Sequence, residues 1–197
     1  MRGMGGVLMT ALEQALLAFI PWNEQEEQDR AEMLRFLRTG ENCFSRDNRT
    51  AHFTASSWIV NRERTKVLMA YHNLYQAWAW TGGHADGDTD LLAVALREAT
   101  EETGVHARPL SRDVFSLEIL TVDGHEKRGM YVPSHLHMNV TYLLEADEWE
   151  NIRPKADENK AVRWFPLQEA LAQCSEKWMV QRVYTKLNER LRAWDRR

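Results

Sequence analysis

The sequence has few of the residues that mark several protein classes. Its 197 residues include 2 cysteines, 5 prolines and 10 glycines. So few cysteines exclude a disulfide scaffold and a four-cysteine zinc site, and so little glycine and proline excludes a collagen-like or low-complexity chain. The longest strictly apolar run, from Ala15 to Ile20, is far shorter than the roughly 20 residues of a membrane-spanning helix. These absences favour a globular chain with no membrane partner.

The sequence also has no excess of positive charge. It carries 25 Lys and Arg against 29 Asp and Glu, a formal net charge of -4, which argues against nucleic acid as the partner. Glu13 and Gln14 interrupt the apolar N-terminal stretch, so a secretory signal is not expected. Together with the isolated Cys43 and Cys174, this favours a cytoplasmic location.

Hydrophobic residues make up 44% of the chain, including 8 Trp, which is enough for a substantial core. Apolar spacing predicts helices over residues 7–20 and 24–38, with Pro21 ending the first and Gly40 following the second. We expect residues 1–45 to form an N-terminal helical arm and residues 46–197 to form one domain that includes a C-terminal helix.

The pattern changes after the arm and alternates between strand and helix. A hairpin is predicted from residues 53–60 and 67–71, followed by a helix over 90–103. Further strands are predicted at 114–122, 137–144 and 161–165, and apolar spacing predicts a last helix up to Trp194. This order of elements indicates an α/β fold.

Residues 82–105 hold six carboxylates and one arginine. On a helix, Glu98, Glu101 and Glu102 share a sector of about 100° beside the apolar stripe. A solvated acidic face is the plain interpretation. However, Glu101 and Glu102 lie in the last turn, where the helix dipole disfavours negative charge unless cations compensate. Arg97 supplies one cation, and Mg²⁺, which prefers oxygen ligands and phosphates, would supply another. The spacing therefore suggests a phosphate-linked metal site.

Residues 97–105, Arg-Glu-Ala-Thr-Glu-Glu-Thr-Gly-Val, match every defined position in the second half of the Nudix box, and the chain resembles the Nudix hydrolase family on this motif. In the first half, counting from Gly83 puts Thr89 where the family has Glu. We expect Asp88 or Asp90 to cap the start of the helix instead. The likeness extends roughly from Phe53 to Ala172. It implies a Nudix-type α/β/α sandwich, with a mixed β-sheet between helices, in a catalytic domain over residues 46–197.

The resemblance also implies roles for individual residues. Glu98, Glu101 and Glu102 would ligate Mg²⁺, or Mn²⁺ in its place, together with the backbone carbonyl of Gly82. Arg97 would orient the glutamates. The general base is left open between a box glutamate, Glu98 or Glu102, and a carboxylate on a late loop. Glu158 stands where some family members place an additional carboxylate, and its alternative is an exposed loop acid.

Candidate substrate contacts rest on weaker signals. His135 and His137 alternate along a predicted strand and would face one side of the sheet, although a hydrogen-bonded histidine pair explains them equally well. A zinc site at this pair lacks a third well-spaced ligand in the sequence. His84 follows the paired glycines and either approaches phosphates or shapes the turn. Trp80 either stacks on a base or packs in the core.

The function that the resemblance implies is metal-dependent hydrolysis of the diphosphate linkage in a nucleoside diphosphate joined to another moiety, a small-molecule nucleotide substrate. A catalytically silent Nudix-fold nucleotide sensor is one alternative. An RNA 5′-end pyrophosphohydrolase, using a basic tail, is another. A homodimer formed through the helical arm is also left open. The tail consists of Arg190, Arg192, Arg196 and Arg197.

Overall fold

The computed structural model describes residues 9–127 and 129–196. Residues 7 and 8 of the first predicted helix and Arg197 of the basic tail lie outside this range. The helices are α1 (Ala11–Ala18), α2 (Glu24–Thr39), α3 (Leu91–Thr103), α4 (Leu167–Gln173), α5 (Lys177–Met179) and α6 (Thr185–Trp194), and a π-helical turn, Val180–Tyr184, joins α5 to α6. The strands are β1 (Ala51–Val60), β2 (Lys66–His72), β3 (Ala77–Ala79), β4 (Thr81–His84), β5 (Arg108–Pro109), β6 (Ser116–Val122), β7 (His125–Lys127), β8 (Met130–Val132), β9 (His135–Glu145) and β10 (Asn159–Pro166).

Short polar side chains set the starts of α1, α2 and α3. Thr10 accepts a hydrogen bond from the backbone N–H of Glu13 at the start of α1, and Asn23 does the same for Glu26 in α2. Asp90 accepts from the N–H of Ala93 at the start of α3, so it serves the helix start as predicted. Gly104, with φ of 79°, ends α3 in the left-handed conformation that glycine adopts without strain.

Strand β1 lies at the centre of a mixed sheet. The strand order is β10-β2-β1-β9-β5, with β3 on β2, β4 on β1 and β6 on β9. Strand β9 runs parallel to β1 and pairs with it from Ala51 to Val60, whereas β2 and β4 are antiparallel to β1. The predicted hairpin forms, but only Ile59 and Val60 pair across it. The rest of β1 pairs with strands from distant parts of the chain, which local patterns do not reveal.

Helices cover both faces of the sheet, as the α/β interpretation predicts. One core cluster joins Phe53 and Ile59 of β1 to α3 and to Leu16 of the arm. The other joins Trp58 of β1 to Leu187 of α6. The arm therefore shares the core of the domain, while the division at residue 45 stays a prediction. Within the described part of the chain, no helix is long and apolar enough to cross a membrane.

A buried ion network connects the arm, the sheet and the C-terminal helix. The Nζ of Lys186 lies 3.1 Å from an oxygen of Glu26 in α2 and 3.0 Å from an oxygen of Glu118 in β6. The side chains of these residues are at most 3% exposed. Arg190, counted above in the basic tail, lies 3.0 Å from Glu26. Since a buried charge without a partner is strongly destabilising, these contacts hold the three elements in place.

We expect Lys186→Met to lower the free energy of unfolding by about 3–5 kcal/mol, because Glu26 and Glu118 lose a buried cation. Urea unfolding measures this change. The control is Lys66→Met, which breaks an ion pair to Glu148 in which Lys66 is 40% exposed, and it should cost no more than about 1 kcal/mol. Equal losses in the two variants would contradict a structural role for the buried network.

Candidate active site

The carboxylate of Glu102 is held through both of its oxygens. It projects from the last turn of α3 and the residue is 4% exposed. One oxygen accepts the backbone N–H of Gly82 at 2.8 Å, and the other accepts the side-chain amide of Asn159 at 2.9 Å. Strand β4 and the first residue of β10 therefore fix this glutamate between them. Metal binding by the backbone carbonyl of Gly82 stays a prediction.

Glu98, one turn earlier on α3, packs directly against Gly83 of β4. A Cβ atom at Gly83 would lie 2.4 Å from the carboxyl carbon of Glu98, which is closer than two non-bonded carbon atoms approach. Only glycine allows the strand and the carboxylate to approach so closely. The paired glycines of the box thus bring β4 against two of the three box glutamates.

The side chain of Lys155 links α3 to the loop between β9 and β10. Its Nζ lies 3.1 Å from an oxygen of Glu101 and 3.2 Å from an oxygen of Glu158. Glu158 therefore lies beside the box glutamates, where a further catalytic carboxylate was predicted, although its role stays a prediction.

Arg97 lies at the edge of the same group of acids. Its guanidinium nitrogens lie 3.8 Å from Glu98, 3.9 Å from Glu101 and 3.7 Å from Asp88. These distances are longer than hydrogen bonds, so Arg97 contributes positive charge to the site. Asp88 also accepts a hydrogen bond from the backbone N–H of Asp90 at 2.9 Å. This contact lies just before α3, where the box departs from the pattern of its family.

Burial changes the pKa values of the acids in this site, and the nearby cations offset their negative charge only in part. Burial raises the pKa of Glu102 to about 7, against the opposing effect of its bonds to Asn159 and Gly82. Burial and the nearby Glu101 raise the pKa of Glu98. Burial of Lys155 is outweighed by its hydrogen bonds to Glu101 and Glu158, which raise its pKa and keep it charged. A set of oxygen donors with excess negative charge fits a hard divalent cation such as Mg²⁺.

Of the predicted substrate contacts, the histidines lie on β4 and β9, and Trp80 lies between β3 and β4. Strand pairing puts His137 opposite His52, and His84 opposite Thr54. Burial, followed by the neighbouring imidazoles, lowers the pKa of His137 to about 2, and burial lowers the pKa of His52. Trp80 packs edge-on against Tyr184 of the π-helical turn, with ring centres 5.6 Å apart. A substrate role for these residues stays a prediction.

Sequence reasoning missed three residues of this region. Lys155 and Asn159 contact box glutamates, and their only signal was proximity in the chain to Glu158. His52 joins the predicted histidines because β1 and β9 are parallel. Such long-range pairing leaves no local pattern in the sequence.

The family model described as NUDIX domain matches residues 51–186. The chain therefore belongs to the Nudix hydrolase family, which confirms the resemblance seen in the box.

Curated relatives match parts of the chain. A CMP-5'-(N-acetyl-N-hydroxy-3-aminopropyl)phosphonate hydrolase of Streptomyces rubellomurinus is 30% identical over 57% of this chain and 50% of its own length. The mouse asymmetrical bis(5'-nucleosyl)-tetraphosphatase is 32% identical over 50% of this chain and 63% of its own length. The matched region thus spans less than two thirds of either relative.

A solved structure supports the fold. A NUDIX family hydrolase from Clostridium perfringens superposes with a TM-score of 0.50 at 20% identity, covering 73% of this chain and 97% of that one. This likeness confirms the predicted Nudix-type sheet between helices.

The two box glycines should respond differently to alanine. In Gly82→Ala the added Cβ would meet backbone, 2.6 Å from the carbonyl of Ala55 and 2.9 Å from the Cα of Ser56, so we expect a loss of about 1–3 kcal/mol of stability. Gly83→Ala meets only the movable carboxylate of Glu98 and should stay within about 1 kcal/mol of the wild type. Urea unfolding of the two variants tests this, and a larger loss in Gly83→Ala would contradict it.

The raised pKa of Glu102 also predicts a pH effect on the metal-free protein. An acid whose pKa is raised by folding stabilises the fold fully below its unfolded value, near 4.5, and this contribution is lost as pH rises through about 7. Glu102→Gln, which stays neutral, should therefore be more stable than the wild type at pH 8 in chelator, by up to about 3 kcal/mol.

The difference should vanish near pH 4.5. The Oδ1 of Asn159 has no hydrogen-bond partner among the described residues. After its side chain rotates, this oxygen can accept a hydrogen bond from the amide of the glutamine in Glu102→Gln. Thermal melts of both proteins across this pH range measure the effect, and a Gln variant that is less stable at pH 8 would contradict it.

Proposed function

We propose that this protein is a metal-dependent hydrolase that cleaves the diphosphate linkage of a nucleotide joined to another group. The observation that carries the proposal is the convergence of Glu98, Glu101 and Glu102 with Glu158, which Lys155 bridges to Glu101. Glu98 and Glu102 are held there with raised pKa values and only oxygen atoms to offer. In this proposal the box glutamates hold Mg²⁺ or Mn²⁺.

The bound cation would neutralise phosphate oxygens and lower the pKa of a coordinated water. The protein side chains divide the remaining work. Both oxygens of Glu102 accept hydrogen bonds, one from Gly82 and one from Asn159. We infer that Glu102 binds the cation from this fixed position. Glu98 and Glu158 are then the candidates for accepting the proton of the attacking water. Burial raises the pKa of Glu98, and a higher pKa makes a carboxylate a stronger base.

Lys155 and Arg97 supply positive charge at the rim of the site. Lys155 bridges Glu101 and Glu158, so it keeps the loop acid beside the helix. Arg97 faces Glu98 and Glu101 at distances longer than hydrogen bonds. We infer that both cations orient the acids and reduce repulsion toward an incoming anionic substrate.

The names of the two relatives support the substrate class. Both describe hydrolysis of a compound in which a nucleotide or nucleoside is joined to a further group, a phosphonate in one and a second nucleoside through a tetraphosphate in the other. The basic tail gives less support to an RNA substrate, since Arg190 is paired with buried Glu26. We therefore favour small nucleotide conjugates as substrates.

The test is product release from dinucleoside tetraphosphates, CMP conjugates, nucleoside triphosphates and 5′-triphosphorylated RNA, with Mg²⁺ or Mn²⁺ and with chelator. We expect turnover that requires metal. Glu101→Gln should lower the rate by about 100-fold or more, because even the partners that surround metal ligands cost 10- to 100-fold. The matched control, Glu169→Gln on an exposed position of α4, should retain full activity.

Turnover that persists in chelator or in Glu101→Gln would contradict the metal assignment. A folded protein that is thermally stabilised by one of these compounds but releases no product would instead identify a nucleotide sensor. Preference for the RNA would move the substrate class to nucleic acid. The preferred conjugate names the substrate if the proposal is right.

A further inference from the structure

Four histidine rings meet on one face of the sheet. His52 comes from β1, His84 from the end of β4, and His135 and His137 from β9. The ring centre of His52 lies 5.0 Å from that of His135 and 5.0 Å from that of His137, and the last two are 5.0 Å apart. We call His52, His135 and His137 the histidine cluster. His52 is the third residue that the His-x-His pair lacked in the sequence.

Backbone carbonyls orient two rings of the cluster. The Nδ1 of His52 lies 3.1 Å from the carbonyl of Asn48, and the Nδ1 of His135 lies 2.9 Å from the carbonyl of Pro133. A carbonyl only accepts hydrogen bonds, so each Nδ1 carries the hydrogen and donates it. In the neutral rings the lone pair is then on Nε2. Histidines that bind metals are oriented by the same kind of contact.

One Nε2 atom of the histidine cluster lacks a hydrogen-bond partner in the described part of the chain. His52 is only 3% exposed, and its buried Nε2 has no hydrogen-bond partner among the described residues. An unpartnered buried polar atom is costly. The Nε2 atoms of His135 and His137 face each other at 3.2 Å. Since the lone pair of His135 is on Nε2, the Nε2–H of His137 donates to it in the neutral rings. The cluster therefore presents a buried lone pair on His52 beside two nitrogens that are already in close contact.

The spacing of these nitrogens suits a metal ion. One ring nitrogen from each of the three residues lies within 4.8 Å of the other two. In a tetrahedral site with bonds of about 2.0–2.1 Å, two nitrogen ligands are about 3.3 Å apart. The pair from His135 and His137 already has about this separation, at 3.2 Å, and the ring of His52 would have to move closer from within 4.8 Å.

We propose that His52, His135 and His137 bind one divalent transition-metal ion of the Zn²⁺ class. Imidazole nitrogens suit Zn²⁺ and its transition-metal neighbours, whereas Mg²⁺ prefers oxygen. His135 and His137 are only partly buried, so the fourth position is open to water or to His84, whose ring centre lies 4.9 Å from that of His137.

This site is separate from the carboxylates of α3 and is inferred independently of the proposed function. Gly83 faces Glu98 and α3. Successive residues of a strand point to opposite faces, so His84, the next residue of β4, faces away from α3. The sheet therefore separates a nitrogen site on one face from an oxygen site on the other.

The experiment is calorimetric titration of Zn²⁺ into chelator-treated full-length protein, with millimolar Mg²⁺ present to occupy the carboxylates. We expect one Zn²⁺ per chain and thermal stabilisation. His135→Gln and His137→Gln should each weaken binding by about 100-fold or more. The control is His106→Asn, an exposed histidine that contacts Glu150, and it should bind as the wild type does.

Co²⁺ provides a second, spectroscopic measurement. The visible absorption of four-coordinate Co²⁺ should be present in the wild type and in Glu101→Gln, and absent in His137→Gln. Unchanged Zn²⁺ affinity in both glutamine variants of the cluster would overturn the proposal. Loss of Zn²⁺ binding in Glu101→Gln instead would also overturn it, by assigning the ion to the carboxylates. His135 and His137 are the primary variants because, unlike buried His52, they leave the core of the sheet intact.

Discussion

All ten residues of β1 are buried, and its backbone groups must therefore be paired within the protein. The strand meets this requirement by pairing with β2 and β4 in antiparallel fashion and with β9 in parallel. The resulting register brings Gly82 and Gly83 against α3 and puts His52 beside His137. Both the carboxylate site and the histidine cluster thus depend on the pairing of one central strand.

The protein treats its buried carboxylates in two ways. Glu26 and Glu118 are paired with Lys186 inside the core, where they join the arm to the sheet and to the last helix. Glu98 and Glu102 have hydrogen bonds and close packing, but burial still raises their pKa values. The first arrangement serves stability, because each charge has a partner. In the second arrangement burial disfavours the charged forms of the acids, which an added cation would stabilise.

The grouping of the three box glutamates was predictable because it depends on spacing within one helix. Glu98, Glu101 and Glu102 share a face of α3 at helical spacing, and Asp90 caps that helix as expected. The contacts that tune these glutamates were not predictable. Lys155 and Asn159 reach them from the region between β9 and β10, and neither residue belongs to a spaced motif. Arg190 shows the opposite case, since a residue that reads as part of a basic tail forms a buried ion pair.

The sequence by itself determined the family, the α/β class and the three acids of the box helix, because these follow from local periodicity and from a motif confined to consecutive residues. The tertiary structure alone decided which distant groups meet: the amide that holds Glu102, the lysine between Glu101 and Glu158, and the third histidine beside His135 and His137. The physical reason is that strand register couples residues far apart in the chain. That register is set by the burial and hydrogen bonding of whole strands, which no short segment of sequence records.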